Sequence, residues 1–128
     1  MTQYVDSLSW SPDSRQIAYG SSDREIAQCE LATARCRRWA NTTRFEWPVQ
    51  WSDDGNALYL QNGAGVPAHV VRYELSTGVR TPWLTLAPAD LAGFGSVDRI
   101  LLARDGKTYA YNGTEISDSS LFVVDGLR

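Results

Sequence analysis

One hairpin-sized string occurs three times, with variations, along a chain of 128 residues. Trp10-Ser11-Pro12-Asp13-Ser14-Arg15-Gln16-Ile17-Ala18-Tyr19 aligns without a gap on Trp51-Ser52-Asp53-Asp54-Gly55-Asn56-Ala57-Leu58-Tyr59-Leu60. The third copy is Leu102-Ala103-Arg104-Asp105-Gly106-Lys107-Thr108-Tyr109-Ala110-Tyr111. Each is the end of an apolar strand, a polar turn and the start of a second apolar strand, which is the pattern of a β-hairpin. Asp13, Asp54 and Asp105 share one column of the repeat. Trp10, Trp51 and Leu102 share another and are expected to be packing residues.

A second block repeats further on. Glu25-Ile26-Ala27-Gln28-Cys29-Glu30-Leu31 matches His69-Val70-Val71-Arg72-Tyr73-Glu74-Leu75, and Ser120-Leu121-Phe122-Val123-Val124-Asp125-Gly126 is the third version. The columns Ile26, Val70, Leu121 and Cys29, Tyr73, Val124 are apolar, and the column Glu30, Glu74, Asp125 is acidic. A turn follows, Ala32-Thr33-Ala34 or Ser76-Thr77-Gly78, and then a fourth strand with Trp39 and Trp83 in register. Gly78 takes a positive φ readily and Ala34 does not, so the first turn is expected to be of a different type. Four short antiparallel strands over about 40 to 50 residues, with no helical period, are the make-up of a β-propeller blade. A β-sandwich or a single meander is the competing reading, and three aligned hairpins count against it. The expectation is an all-β partial β-propeller of about three blades, near residues 5–40, 46–86 and 97–128, the last incomplete because only three of its strands are present.

The Trp-Ser-Pro-Asp string running into Ile17-Ala18-Tyr19, the strand ending in Glu74-Leu75 and the Ser76-Thr77-Gly78 turn resemble the TolB-type, WD-like propeller repeat. The stretch from Ala103 to Tyr111, continued from Ser117 to Arg128, resembles the C-terminal end of propellers in large bacterial signalling proteins. That resemblance implies a Ser/Thr protein kinase or a winged-helix regulator upstream, commonly with a membrane span between. The chain itself has no lysine-bearing kinase strand, His-Arg-Asp loop or Asp-Phe-Gly. The resemblance therefore implies a sensor or scaffold end without its effector.

Propellers close with four to eight blades, because each blade packs both faces against neighbours. Three blades leave two apolar faces in water, more than a soluble monomer usually exposes. Two ways of covering them are expected: upstream blades of a longer parent chain, or a homodimer closing a six-bladed ring. Fifteen acidic residues against twelve basic ones give a net charge of −3, which argues against nucleic acid as a partner. Met1 to Asp6 lack the basic and apolar regions of a signal peptide, and no apolar run approaches the ~20 residues of a membrane span. Direct membrane insertion is not expected; localisation stays open between cytoplasmic and, for a piece of an anchored parent, extracytoplasmic. Cys29 and Cys36 flank a turn and could face one another as a disulfide. Cys29 falls in an apolar column, however, so free thiols are the expectation.

No catalytic constellation emerges. There is no G-x-S-x-G elbow. Gly63-Ala64-Gly65-Val66-Pro67-Ala68 fits a loose dinucleotide string but leads into a strand, not into the helix whose N–H groups would hold a pyrophosphate. The triplets Asn41-Thr42-Thr43 and Asn112-Gly113-Thr114 read as loops, and Asp105-Gly106-Lys107-Thr108 as a hairpin turn. Asp53 and Asp54, adjacent on a turn, point apart and offer too few oxygens for a hard cation. One Met and one His leave little for a soft-metal site, so no metal or cofactor is expected. Trp39 and Trp83 read as structural. Trp47 aligns with Asp6 and Asp98 in the other copies and sits beside Arg44, Phe45 and Glu46. Propellers bind ligands where the loops leading into first strands meet those joining second to third strands. Arg24, Trp47, Asn62, Asp98 and Glu115 would meet there as a recognition ring.

The function these features favour is a non-catalytic binding or scaffold module recognising a protein, peptide or small ligand for a bacterial signalling protein, a step that rests on fold analogy. The competing readings are an accessory propeller domain of a hydrolase and a purely structural, self-assembling fragment.

Overall fold

The computed structural model describes residues 5–21, 26–39, 46–62, 67–86, 94–115 and 119–124. They form eleven strands: β1 Val5–Trp10, β2 Gln16–Ser21, β3 Ile26–Glu30, β4 Arg35–Arg38, β5 Glu46–Trp51, β6 Ala57–Asn62, β7 Ala68–Glu74, β8 Arg80–Leu86, β9 Phe94–Leu102, β10 Tyr109–Glu115 and β11 Ser119–Val124. These make three antiparallel meanders, β1-β2-β3-β4, β5-β6-β7-β8 and β9-β10-β11.

The hairpin turns explain the repeated aspartates. Ser11 Oγ donates to Asp13 Oδ1 at 2.6 Å, the same oxygen accepts the Arg15 N–H at 3.0 Å, and Ser11 Oγ accepts the Gln16 N–H at 3.0 Å. Ser52 and Asp54 repeat the arrangement at 2.7, 2.9 and 3.1 Å. In the third copy Asp105 accepts the Lys107 N–H at 2.8 Å, but Ala103 has no hydroxyl to add. Each turn needs one left-handed residue: Ser14 at φ 61°, Gly55 at 74° and Gly106 at 73°.

The β3–β4 turn departs from expectation. Ala34 takes φ 57°, close to the 74° of Gly78, so both turns place a left-handed residue at this position although only one has glycine there. An alanine held left-handed costs roughly 1–2 kcal/mol. Ala34→Gly removes that strain and adds some unfolded-state entropy, so a net gain of about 0.5–1 kcal/mol is expected, read as a raised urea midpoint.

The cysteines also depart from expectation. Cys29 is the register partner of Cys36, their Cα atoms are 4.0 Å apart, and they form a disulfide rather than two free thiols. The apolar column that argued for a buried thiol lies directly opposite Cys36 across the β3–β4 pair, and that adjacency decides the chemistry.

Two cores join the sheets. Ala18, Ile26 and Trp39 of the first sheet pack with Trp51, Leu58, Leu60 and Tyr73 of the second. Tyr59, Ala68, Val70, Leu84 and Leu86 of the second pack with Val97, Ile100, Leu102, Tyr109 and Tyr111 of the third. Leu58 and Leu60 thus face one neighbour and Tyr59 the other, as the two-residue period of a strand requires. β6 is accordingly buried on both faces from Ala57 through Gln61. Trp39 stacks on Tyr73 with ring centroids 5.1 Å apart, and Tyr59 packs against Trp83 at 5.3 Å.

Polar side chains lock these joints. The Trp51 indole N–H donates to the Ser9 carbonyl at 3.0 Å. Gln50 Nε2 donates to the Leu102 carbonyl at 3.3 Å, and Gln61 Oε1 accepts the Ile100 N–H at 3.0 Å. Within the second sheet, Glu46 and Arg80 pair through both terminal guanidinium nitrogens, with Nη2 2.7 Å from Oε1. The Glu46 side chain is buried, and its hydrogen bonds hold Arg80 above its ordinary pKa.

Trp10 is the main correction in the repeat. It occupies the column of Trp51, yet it is 48% exposed where Trp51 is 1% exposed. The column faces the preceding sheet: Trp51 meets the first sheet and Leu102 the second, whereas no described sheet precedes Trp10. Leu8 shares the open face at 48%, and Leu101 stands out from the third sheet at 60%.

Candidate functional site

The rim at the loop end of the sheets is only partly assembled among the described residues. Glu46 pairs with Asn62 and Trp47 with Gln61, so Trp47 and Asn62 lie on neighbouring strands at that rim. Trp47 is half-buried and Asn62 exposed. Glu115 ends β10 opposite Phe94, and Asp98 sits where the β9–β10 register shifts between the Asn112 and Gly113 pairings. For these two the backbone alone is described. Arg24 lies outside the described residues, as do Arg44 and Phe45. The Asn112-Gly113-Thr114 triplet is in β10, not in a loop.

The register also changes what Trp47 corresponds to. The first and third sheets carry bulges at Asp6 and Asp98, whereas the bulge of the second sheet falls at Val49. By strand pairing, Trp47 therefore occupies the place of Ser7 and Arg99 rather than of Asp6 and Asp98. A gapless alignment hides a bulge that moves by two residues.

Trp47 lines a small cleft between the inner strands β1, β5 and β9, together with Leu8, Pro48, Arg99 and Leu101. Its volume is about 70 Å³, well below that of a metabolite pocket. An aromatic ring, an arginine and aliphatic side chains suit one apolar or acidic side chain of a partner. The roomier clefts lie at the opposite, hairpin-turn end. One of about 520 Å³ is bounded by Asp13, Arg15, Gln16, Glu30 and Leu31, and one of about 250 Å³ lies between Asp13 and the turn of Asp53, Asp54 and Gly55.

None of this assembles a nucleophile, base and orienter. His69 Nδ1 lies 3.4 Å from Thr85 Oγ1 on the exposed side of the β7–β8 pair. Among the described residues, no group of three His, Cys, Asp or Glu is placed to hold a metal ion. Tyr109 and Tyr111 stack, with centroids 6.4 Å apart, and burial pushes the Tyr111 phenol up.

The turn aspartates have a defined electrostatic role instead. Asp13 is held below the ordinary carboxylate range chiefly by the Ser11 hydroxyl and then by the Arg15 N–H; Asp54 is held down chiefly by Ser52 and then by the Asn56 N–H. A carboxylate whose folded value is depressed stabilises the fold above its unfolded value, and the contribution is lost as pH falls through the folded one. A falling melting temperature is expected between about pH 5 and pH 2. The double variant Ser11→Ala/Ser52→Ala, which removes the largest cause at both sites, is expected to flatten that slope. A slope unchanged in the variant would place the acid sensitivity elsewhere.

No family model matches the chain, and no curated protein sequence does. Solved structures do match in fold. TolB from Acinetobacter baumannii superposes with a TM-score of 0.58 at 18% identity, over 95% of this chain and 33% of that one. A putative TolB from Agrobacterium tumefaciens gives a TM-score of 0.59 at 14% identity, over 98% of this chain and 46% of that one. The chain is all-β and has the fold of a partial, TolB-like β-propeller. It spans a third to under a half of the length of these solved chains.

Proposed function

We propose that this chain is a non-catalytic, three-blade segment of a β-propeller, with blades near residues 5–40, 46–86 and 97–128, that serves as a protein- or peptide-binding scaffold within a larger bacterial signalling protein. The observation that carries the reading is the contrast between Trp51 and Trp10. Trp51 is sealed against the neighbouring sheet with its indole N–H on the Ser9 carbonyl, and Trp10 offers the same ring to solvent. An exposed half-joint of this kind is built to receive another blade. Upstream blades of a longer parent are the first candidate, and a second copy closing a six-bladed ring is the other. In either assembly, the rim of Arg24, Trp47, Asn62, Asp98 and Glu115 is the surface offered to the partner.

Light scattering on a size-exclusion column, with dye binding to exposed apolar surface measured in parallel, tests this reading. A dimer abolished by Trp10→Arg supports two arcs closing one ring. A monomer that binds the dye, and loses it when upstream blades are restored, supports a longer parent. A monodisperse monomer that binds no dye overturns the half-joint reading.

A further inference from the structure

The outer strand of the first sheet differs from its counterpart in the second. β4, Arg35-Cys36-Arg37-Arg38, ends the strand order of its sheet, and all four of its residues are exposed. So short a strand gains little from burial, and a hairpin of this size is marginal in water. A covalent bond supplies the hold: Cys36 is tied to Cys29, and Trp39 just beyond is stacked on Tyr73. The register runs unbroken from Ala27↔Arg38 to Glu30↔Arg35. With the Trp39 N–H on the Ile26 carbonyl, antiparallel alternation makes Cys29·Cys36 a non-hydrogen-bonded pair. Cys36 therefore turns its N–H and C=O away from β3, toward the edge that no described strand covers. The outer strand β8 is blunted by contrast: it contains Pro82, its register shifts between Val70 and Val71, and Arg80 is bound to Glu46.

Charge narrows the occupant. Three of the twelve basic residues fall within these four positions, in a chain of net charge −3. Arginines on an edge repel a like-charged edge, so the β4 of a second copy is a poor fit. An extended strand of opposite charge is a good one. On the sheet face behind that edge, Arg35 and Arg37 of β4, Gln28 and Glu30 of β3 and Gln16 of β2 line a cleft of about 340 Å³ with Glu30 as its one acid, so Arg35 and Arg37 stand on the face that acidic side chains of an added strand would share.

We propose that β4 is a docking strand: an acidic, extended segment of a partner protein adds to its open edge as a fifth strand, on a template held rigid by the Cys29–Cys36 disulfide. This deepens the binding role proposed above by naming a surface and a partner class. The dimer and dye measurements address different faces, so the two ideas fail separately. A dithiol reductant, passing two electrons and two protons to the disulfide and becoming a disulfide itself, frees β4 and weakens the template.

The test is fluorescence anisotropy with a labelled peptide of about ten residues alternating Glu and Val, titrated with the intact chain at low salt. Binding is expected, with at least a tenfold loss for the double variant Arg35→Glu/Arg37→Glu, whose exposed positions leave the fold intact by circular dichroism. A peptide with Lys in place of Glu is expected not to bind. A peptide keeping every Glu but with Pro in place of Val cannot donate alternate backbone N–H groups, and it too is expected to bind at least tenfold more weakly. Reduction by dithiothreitol is expected to weaken binding several-fold. Equal binding of the proline peptide, affinity unchanged by the arginine reversals, or indifference to reduction each overturns the docking strand.

Discussion

Trp51→Ala is expected to unfold the chain or to lower its stability by about 3–5 kcal/mol, the cost of emptying a buried aromatic site that cannot collapse. The ring is 1% exposed, fills the joint between the first two sheets, and satisfies the Ser9 carbonyl, which its loss leaves buried without that donor. Against a typical stability of about 5–15 kcal/mol, such a loss is a large fraction of the whole. The comparison that makes the result informative is Trp10→Ala, at the same place in the repeat. At 48% exposure it is expected to cost no more than about 1 kcal/mol in the isolated chain. Urea unfolding of both variants checks this. Equal costs would mean that the face of Trp10 is already covered in solution.

Gly106→Ala is expected to cost about 2–4 kcal/mol, combining a left-handed backbone with overpacking. Gly106 sits at φ 73°, and an added Cβ would lie 2.8 Å from both the Trp83 ring and the Tyr59 hydroxyl. The backbone there is also pinned, because the Trp83 indole N–H donates to the Gly106 carbonyl at 3.0 Å. Gly55 is the internal control: its φ is 74°, and an added Cβ would meet nothing within 4 Å. Gly55→Ala should therefore show the conformational cost alone, about 1–2 kcal/mol. Thermal unfolding of the pair separates the two contributions, and equal shifts would show that the contact with Trp83 and Tyr59 relaxes freely.

The hairpins were legible in the sequence because their chemistry is local. A serine, an aspartate two residues later and a left-handed residue after that close the same turn wherever they fall, so Asp13 and Asp54 could be recognised without any neighbour. Trp10 could not be placed by the same reasoning. Its column is defined by sequence, but its burial depends on whether a sheet lies in front of it. The Cys29–Cys36 bond depended on register, and the place of Trp47 depended on a bulge that shifts from Asp98 to Val49 between sheets. Glu46–Arg80, Gln61–Ile100 and Gln50–Leu102 left no sequence signal, since their partners are 34, 39 and 52 positions apart. At the rim, Trp47 and Asn62 lie on neighbouring strands, Asp98 and Glu115 are described by their backbone alone, and Arg24 lies outside the described residues.

Three side-chain bonds that cross between sheets among the described residues share an asymmetry. Trp51, Gln50 and Gln61, all in the middle sheet, contribute side chains, whereas their neighbours contribute only the Ser9 and Leu102 carbonyls and the Ile100 N–H. A backbone group is the same whatever side chain hangs beside it, apart from the N–H that proline lacks. Substitutions at Ser9, Leu102 or Ile100 therefore leave those bonds available, while changes at Trp51, Gln50 or Gln61 remove them. The middle sheet so holds both of its neighbours without reading their side chains. Sheets joined in this way can diverge at the positions that contribute only backbone while the joints between them keep their bonds.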